Sequence, residues 1–111
     1  MDMVTERRGI ETIVSVRGSM DTETSTEAQA FLDGVLASGG RRLLLDFEHL
    51  EFISSAGLRV LLATAKNLGS MGGELRLCAL SRSVNEVFRM AGFDTLLNVY
   101  ANRSAAMEGW Q

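Results

Sequence analysis

The fold of this chain follows from Arg42–Ser70, which reads RLLLDFEHLEFISSAGLRVLLATAKNLGS. Residues 42–47 form a short continuous apolar run, which is typical of a central strand covered on both faces of a parallel sheet. Residues 55–70 repeat apolar side chains at helical spacing, namely Leu58, Leu61, Leu62, Ala65 and Leu68. The stretch therefore predicts a buried strand, a connecting loop over residues 48–55 that contains His49, and an amphipathic helix.

Strand and helix signals alternate on both sides of this unit. Strands are predicted over residues 3–8, 10–17, 74–80 and, more weakly, 96–100, and further helices over 24–38, 83–92 and 102–110. Capping boxes of the form S/T-x-x-E are expected to open two of these helices, Thr24 with Glu27 and Ser83 with Glu86. The element order is therefore β-β-α-β-α-β-α-β-α.

This alternation predicts an α/β fold with right-handed crossovers between parallel neighbours. We expect a mixed four- or five-stranded sheet whose helices pack mainly on one face. In such a fold five large side chains should be buried, namely Phe31, Leu44, Leu61, Leu62 and Phe88. Ligands of open α/β sheets bind near the carboxyl ends of the strands, so the segment before Ser55 is a candidate site.

Length and composition narrow the range of functions. The chain has 111 residues, which suits one domain spanning residues 1–111, and its net charge of −3 disfavours direct binding of nucleic acid. One cysteine and one histidine are too few for a Cys/His zinc site, and we expect neither a metal nor a cofactor. We see neither a signal-peptide core nor a run near the roughly 20 apolar residues of a membrane span. A cytoplasmic domain without membrane partner is expected.

Three possible enzyme sites are weak. His49 is the only histidine, and Ser54 or Ser55 would meet it only by a chance loop conformation. The glycine-rich segment 69–73 lacks the Lys-Ser/Thr of a phosphate loop and precedes a strand. Cys78 lies in a predicted strand, where an inert buried thiol is the usual state. We therefore expect that the chain is not an enzyme.

Two serines stand directly before the central helix. Serine is a good N-cap, so one of them needs no further role. A helix N-terminus also accommodates a phosphate, because its free N–H groups and the helix dipole favour negative charge. Both interpretations of Ser54 and Ser55 remain open on physical grounds alone.

The run LLLDFEHLEFISSAGLRVLL (residues 43–62) resembles the signature of the STAS-domain anti-sigma factor antagonists. That signature is a hydrophobic strand followed by D/N-x-x-x-L-x-F/Y-hydrophobic-D-S-S/T-G-L, and seven positions match it, namely Asp46, Leu50, Phe52, Ile53, Ser55, Gly57 and Leu58. Residues 18–21, 72–75 and 88–93 resemble further family segments in the same order. The resemblance covers nearly the whole chain and implies a STAS-like fold.

The resemblance implies partner switching. An unphosphorylated antagonist binds an anti-sigma factor that is also a GHKL-type serine kinase, and this binding releases the target of that factor. The kinase phosphorylates the antagonist and breaks the complex, and a PP2C-type phosphatase restores it. Ser55 matches the phosphorylated serine. Ser54 stands where many members carry aspartate, so it is an alternative acceptor, and Ala56 replaces a serine or threonine.

The partner surface implied by this alignment consists of Asp21, Ser54, Ser55, Gly57, Leu58 and Arg59. Asp21 and the start of the central helix should meet at one end of the sheet. Similar domains also serve as free subunits of lipid or anion transport systems, or as sensors of a small ligand. Those functions remain the alternatives, and the serine at position 55 favours the phosphorylation switch.

Overall fold

A five-stranded sheet organises residues 1–110, the part of the chain that this computed structural model describes. Its strands lie side by side in chain order: β1 (Asp2–Arg8), β2 (Glu11–Met20), β3 (Arg42–Ile53), β4 (Glu74–Cys78) and β5 (Asn98–Tyr100). β1 is antiparallel to β2, and all other neighbours are parallel. The predicted mixed sheet is confirmed, with five strands; residue 111 lies outside the described residues.

Helices cover the two faces of the sheet unequally. The helices are α1 (Ser25–Ala37), α2 (Ser55–Ser70), α3 (Arg82–Met90) and the short α4 (Arg103–Met107). Successive side chains of a strand point to opposite faces, so Leu43 and Leu45 join the core beneath α1, α2 and α3. Leu44 points the other way and packs with Trp110 and α4. The expectation of helices mainly on one face is confirmed.

β3 is longer than its apolar run indicates. It continues to Ile53, so residues 48–53 are strand rather than the predicted loop, and His49 lies within that strand. This extension pairs only with β2, because β4 already ends opposite Asp46. Two register shifts in the β2–β3 pairing break the regular alternation of buried and exposed residues, which is why the pattern does not read as a strand.

The two strands next to β3 end at other residues than predicted, and each difference has a local cause. β2 runs past Gly18, which adopts a positive φ of 101° beside a register shift, and reaches Met20. Gly18 therefore bends the strand instead of ending it. β4 stops at Cys78 rather than at residue 80, because Ala79 turns into the left-handed region with φ of 62°.

Both capping boxes are wrong, although the helices they predicted exist. The hydroxyl of Thr24 donates to the carbonyl of Ser19 and makes no cap bond to α1. α3 starts earlier than Ser83, since the Ser81 hydroxyl accepts its cap bond from the N–H of Val84. The oxygen of the Thr24 hydroxyl already accepts a 2.9 Å hydrogen bond from the N–H of Asp21, and in α3 the Ser81 hydroxyl supplies the cap in place of Ser83.

Three of the five core predictions hold, namely Leu44, Leu61 and Phe88, each fully buried. Phe31 is only half-buried, at the margin of the core. The prediction for Leu62 is wrong, because 40% of this residue is exposed. Leu58, Leu61 and Leu68 fill the buried stripe of α2, and Leu62 lies beyond its edge.

Candidate functional site

The candidate site lies at the carboxyl ends of β2 and β3, where α2 begins. The N–H of Ser54 donates to the carbonyl oxygen of Met20 at 2.9 Å, which ties the start of α2 to the end of β2. Asp21 directly follows Met20. The Asp21 turn and the start of α2 therefore adjoin at one end of the sheet, as the sequence predicted.

Gly57 allows this close approach. A Cβ atom at position 57 would lie 2.6 Å from the carbonyl oxygen of Met20 and 2.7 Å from Cγ1 of Ile53. Real Cβ atoms do not come so close to backbone oxygen. A side chain of any kind would therefore push the first turn of α2 away from the sheet.

The structure distinguishes the two serines by position and exposure. Ser54 is the N-cap of α2, and its half-buried hydroxyl accepts a long hydrogen bond of 3.4 Å from the N–H of Gly57. Ser55 is the first residue of α2, and its side chain is exposed. The first turn of α2 contains no acidic residue. The exposed hydroxyl therefore stands beside helical N–H groups that lack intrahelical acceptors.

Asp21 shapes the turn next to these serines. Its Oδ1 accepts hydrogen bonds from the N–H groups of Glu23 at 2.9 Å and Thr24 at 3.0 Å. The hydrogen bond from the Thr24 N–H is the main cause that holds the pKa of Asp21 below its usual value; desolvation opposes it, and the bond from the Glu23 N–H adds to the lowering. The carboxylate is thus an ordered, negatively charged group of the turn.

A row of exposed side chains runs along α2 from the site. It consists of Ser55, Arg59, Leu62 and Lys66, spaced at i, i+4, i+7 and i+11, and we call it the α2 face. The sequence prediction included Ser55 and Arg59 but missed Leu62, which it placed in the core. The helical spacing from Ser55 is the signal that would have found it.

Gly57 and Leu58 are buried within the chain, although both belong to the predicted partner surface. Leu58 is only 4% exposed and packs in the main core. They lie beneath the predicted surface, whereas Asp21, Ser55 and Arg59 have accessible side chains.

Charge is distributed asymmetrically around the site. Residues 21–40, which include the Asp21 turn and α1, contain four carboxylates and no lysine or arginine. The α2 face instead presents Arg59 and Lys66. A partner that covers both elements therefore meets an acidic side and a basic side, and such patterning fixes orientation as well as attraction.

Asp46 of the signature lies away from this site. It is 6% exposed, on the sheet face that carries α4, and its Oδ2 accepts a 2.6 Å hydrogen bond from Nε of Arg103. The same guanidinium donates to the hydroxyl of Ser15 at 3.0 Å. Asp46 thus anchors the carboxyl-terminal segment to β3.

His49 and Cys78, which the sequence analysis weighed as possible catalytic side chains, differ in exposure. His49 is exposed, its Nε2 lies 3.8 Å from a carboxylate oxygen of Glu48, and no hydrogen bond joins it to a serine within residues 1–110. Burial, and secondarily the Asp46 carboxylate, raises the pKa of Cys78 to about 12, so its thiol stays protonated. Across the described residues, no helix combines the length and apolar character needed to cross a membrane.

Known proteins resemble this chain in sequence and in fold. Residues 3–106 match the family model of the STAS domain. BtrV of Bordetella bronchiseptica, a candidate anti-sigma factor antagonist, is 40% identical over 94 residues, covering 85% of this chain and 81% of BtrV.

Solved structures agree in fold. A candidate anti-sigma factor antagonist from Thermotoga maritima superposes with a TM-score of 0.90 at 22% identity, over 96% of this chain and 92% of that one. The anti-sigma factor antagonist SpoIIAA in its unphosphorylated form superposes with a TM-score of 0.79 at 19% identity, over 96% of this chain and 94% of that one. Phosphorylated Bacillus SpoIIAA superposes with a TM-score of 0.74 at 19% identity, over 99% of this chain and 100% of that one. With the family match over nearly its whole length, the chain belongs to the STAS domain family of anti-sigma factor antagonists.

Proposed function

We propose that this chain is a partner-switching antagonist controlled by phosphorylation of Ser55. In the unphosphorylated form it binds an anti-sigma factor that is also a GHKL-type serine kinase, and so frees the target of that factor. Phosphorylation by the kinase ends binding, and a PP2C-type phosphatase restores it. The chain itself carries out no catalysis in this scheme, which operates in the cytoplasm without direct contact to nucleic acid or membrane.

The exposed hydroxyl of Ser55 at the start of α2 is the observation that carries this proposal. Of the two adjacent serines, Ser55 is accessible to a kinase, while Ser54 is half-buried and occupied as the N-cap. Ser54 also replaces the aspartate of many family members. Because its hydroxyl performs the capping that a carboxylate could perform, the helix start is retained without a negative charge beside the acceptor.

The fold should tolerate phosphate at this position. A phosphate on Ser55 adds a charge of about −1.5 to −2 next to free N–H groups and the positive end of the α2 dipole. It also lies one turn from Arg59, at the i, i+4 spacing at which side chains interact. The phosphorylated chain should therefore remain folded, with its phosphate paired to Arg59.

The same pairing explains loss of binding. In the unphosphorylated chain Arg59 is exposed and available to an acidic group of the partner. Phosphate on Ser55 would compete for Arg59 and would itself have to be desolvated in a close interface. A loss of about 3 kcal/mol corresponds to an affinity reduced by roughly a hundredfold or more.

Mass spectrometry after incubation with the cognate kinase and ATP tests the acceptor. We expect a single phosphate on Ser55 in the wild type and in Ser54→Ala, and none in Ser55→Ala. Ser83→Ala is the matched control, since Ser83 is also an exposed serine near a helix start. Phosphate found only on Ser54 would refute the assignment.

Binding measurements test the switch. Ser55→Ala should bind the anti-sigma factor constitutively, whereas Ser55→Asp and Ser55→Glu should bind it weakly with an unchanged circular dichroism spectrum. Alanine at Asp21 or Arg59 should weaken binding if both contribute to the docking surface. Full binding by the phosphorylated chain would contradict the proposal. An affinity that neither alanine substitution changes would contradict it as well.

A further inference from the structure

β1 is an edge strand with one side uncovered. It pairs with β2 along its full length, and no other strand of residues 1–110 lies against its outer side. All its residues except Met3 are exposed, and Val4 is 65% exposed. Such an edge presents backbone N–H and C=O groups that can pair with a further strand.

The two faces of β1 carry different side chains. Register with β2 places Met3, Thr5 and Arg7 opposite Val16, Val14 and Thr12 on the face covered by α1. Asp2, Val4, Glu6 and Arg8 lie on the opposite face, where Glu6 reaches Arg103 of α4. Three of these four residues on the α4 side are charged.

We propose that this edge binds a second copy of the same chain, with the two β1 strands antiparallel about a two-fold axis at Thr5. Antiparallel pairing about an axis perpendicular to the sheet keeps each face on its own side. Residues that stand opposite each other must then come from the same face of β1. This condition leaves three central registers, with the axis at Val4, at Thr5 or at Glu6.

Charge selects one of the three registers. An axis at Val4 would place Asp2 opposite Glu6 of the second copy, and an axis at Glu6 would place Glu6 opposite itself. Only the axis at Thr5 places Asp2 opposite Arg8, and symmetry makes this pair twice. Opposite charges directly across a strand pair stabilise it, and like charges destabilise it.

The side chains at this register are available for the pairing. The Nε of Arg8 donates to Glu6 at 2.7 Å within the chain, which leaves the terminal N–H groups of its guanidinium for Asp2 of the second copy. Charged residues on an edge strand commonly prevent pairing with other proteins. Here the same charges oppose every central register except one, so they select the second copy in a single alignment.

The contact should be weak and should leave the switch free. One strand per copy buries little surface, as in transient complexes, so we expect a dissociation constant on the order of 100 μM. The α2 face begins at the carboxyl ends of β2 and β3, whereas the contact lies along the outer side of β1. A dimer would therefore present two copies of the proposed site, although the inference does not depend on that function.

Sedimentation equilibrium over a concentration range spanning this value tests the association. Asp2→Arg and Arg8→Asp should each weaken the dimer by about tenfold, since each places like charges opposite one another twice. The double variant restores both pairs and should recover wild-type association. Arg82→Asp makes the same change in net charge as Arg8→Asp on the exposed start of α3, and should have no effect. Circular dichroism checks that each variant is folded.

Cysteine cross-linking tests the register in a Cys78→Ala background. Thr5→Cys should form a disulfide-linked dimer rapidly, because position 5 stands opposite itself. Met3→Cys and Arg7→Cys should cross-link when mixed but not when each is alone. A monomer at every concentration would overturn the proposal. A dimer whose dissociation constant is unchanged by both charge reversals would also overturn it, as would one that cross-links equally well at all three positions.

Discussion

Gly57→Ala tests the close contact that positions the candidate site. The added Cβ would lie 2.6 Å from the Met20 carbonyl oxygen and 2.7 Å from Ile53 Cγ1. The oxygen belongs to the backbone of β2, so no change of rotamer relieves the clash and α2 must move outward. Overpacking costs about 1–3 kcal/mol. Because this clash involves backbone, we take the upper part of that range.

A helical preference acts in the opposite direction. Ala is favoured over Gly in helices by at most about 1 kcal/mol. The net effect on the free energy of unfolding should therefore be a loss of about 1–2 kcal/mol, or a fall in Tm of about 4–9 °C for a chain of this length. Urea denaturation followed by far-ultraviolet circular dichroism measures this directly.

Gly34→Ala is the matched control. Gly34 lies within α1, and a Cβ at that position would have no atom within 4 Å. This variant should gain about 0.5–1 kcal/mol from reduced backbone freedom in the unfolded chain. Gly57→Ala should also weaken partner binding, because the turn that bears Ser55 is displaced, while Gly34→Ala should not. If Gly57→Ala proved as stable as Gly34→Ala, the argument for a backbone clash would be refuted.

Three further predictions concern charged groups. Arg103→Met leaves the buried Asp46 carboxylate without its guanidinium partner. The variant should lower the free energy of unfolding by about 1–3 kcal/mol, less than for a fully buried pair because Arg103 is partly exposed. The double variant that adds Asp46→Asn should recover part of this loss, as urea denaturation would measure. The Thr24 N–H bond lowers the pKa of Asp21, so ionised Asp21 stabilises the fold above its ordinary pKa and this contribution disappears as pH falls through the lowered value. Asp21→Asn should therefore lose less stability on acidification than the wild type, as acid titrations of the unfolding free energy would show. Arg59→Gln should raise the second pKa of a phosphoserine installed at the proposed switch position, as phosphorus NMR titration would detect, and an unchanged value would exclude the pairing.

The motif at the centre of the chain correctly predicted where α2 begins, because its signals are local. The bounds of α2, Ser55–Ser70, follow from helical periodicity together with the serines at its start and the glycines at its end. The continuous run at residues 43–45 is buried on both faces, as expected of a central strand. Local patterns also revealed the alternation of elements, from which the parallel crossovers follow.

Other features depend on contacts between residues that are distant in the sequence. No local pattern shows that β3 continues to Ile53, because the extension exists only through its pairing with β2. Leu62 has the composition of a core residue, yet the width of the packed stripe on α2 leaves it outside. The pairing of Asp46 with Arg103 joins residues 57 positions apart in the sequence.

Sequence by itself therefore determined the fold class, the place of α2 and the presence of two candidate hydroxyls at its start. The family resemblance aligned Ser55 with the phosphorylated serine, but only the tertiary structure shows which hydroxyl caps α2 and which one is exposed. Ser54 becomes the cap because its N–H is held by Met20 and its Oγ faces the N–H of Gly57. Ser55 is left exposed one residue later. The physical reason is that exposure and hydrogen-bond partners depend on what packs nearby, and β2 approaches α2 across more than thirty intervening residues.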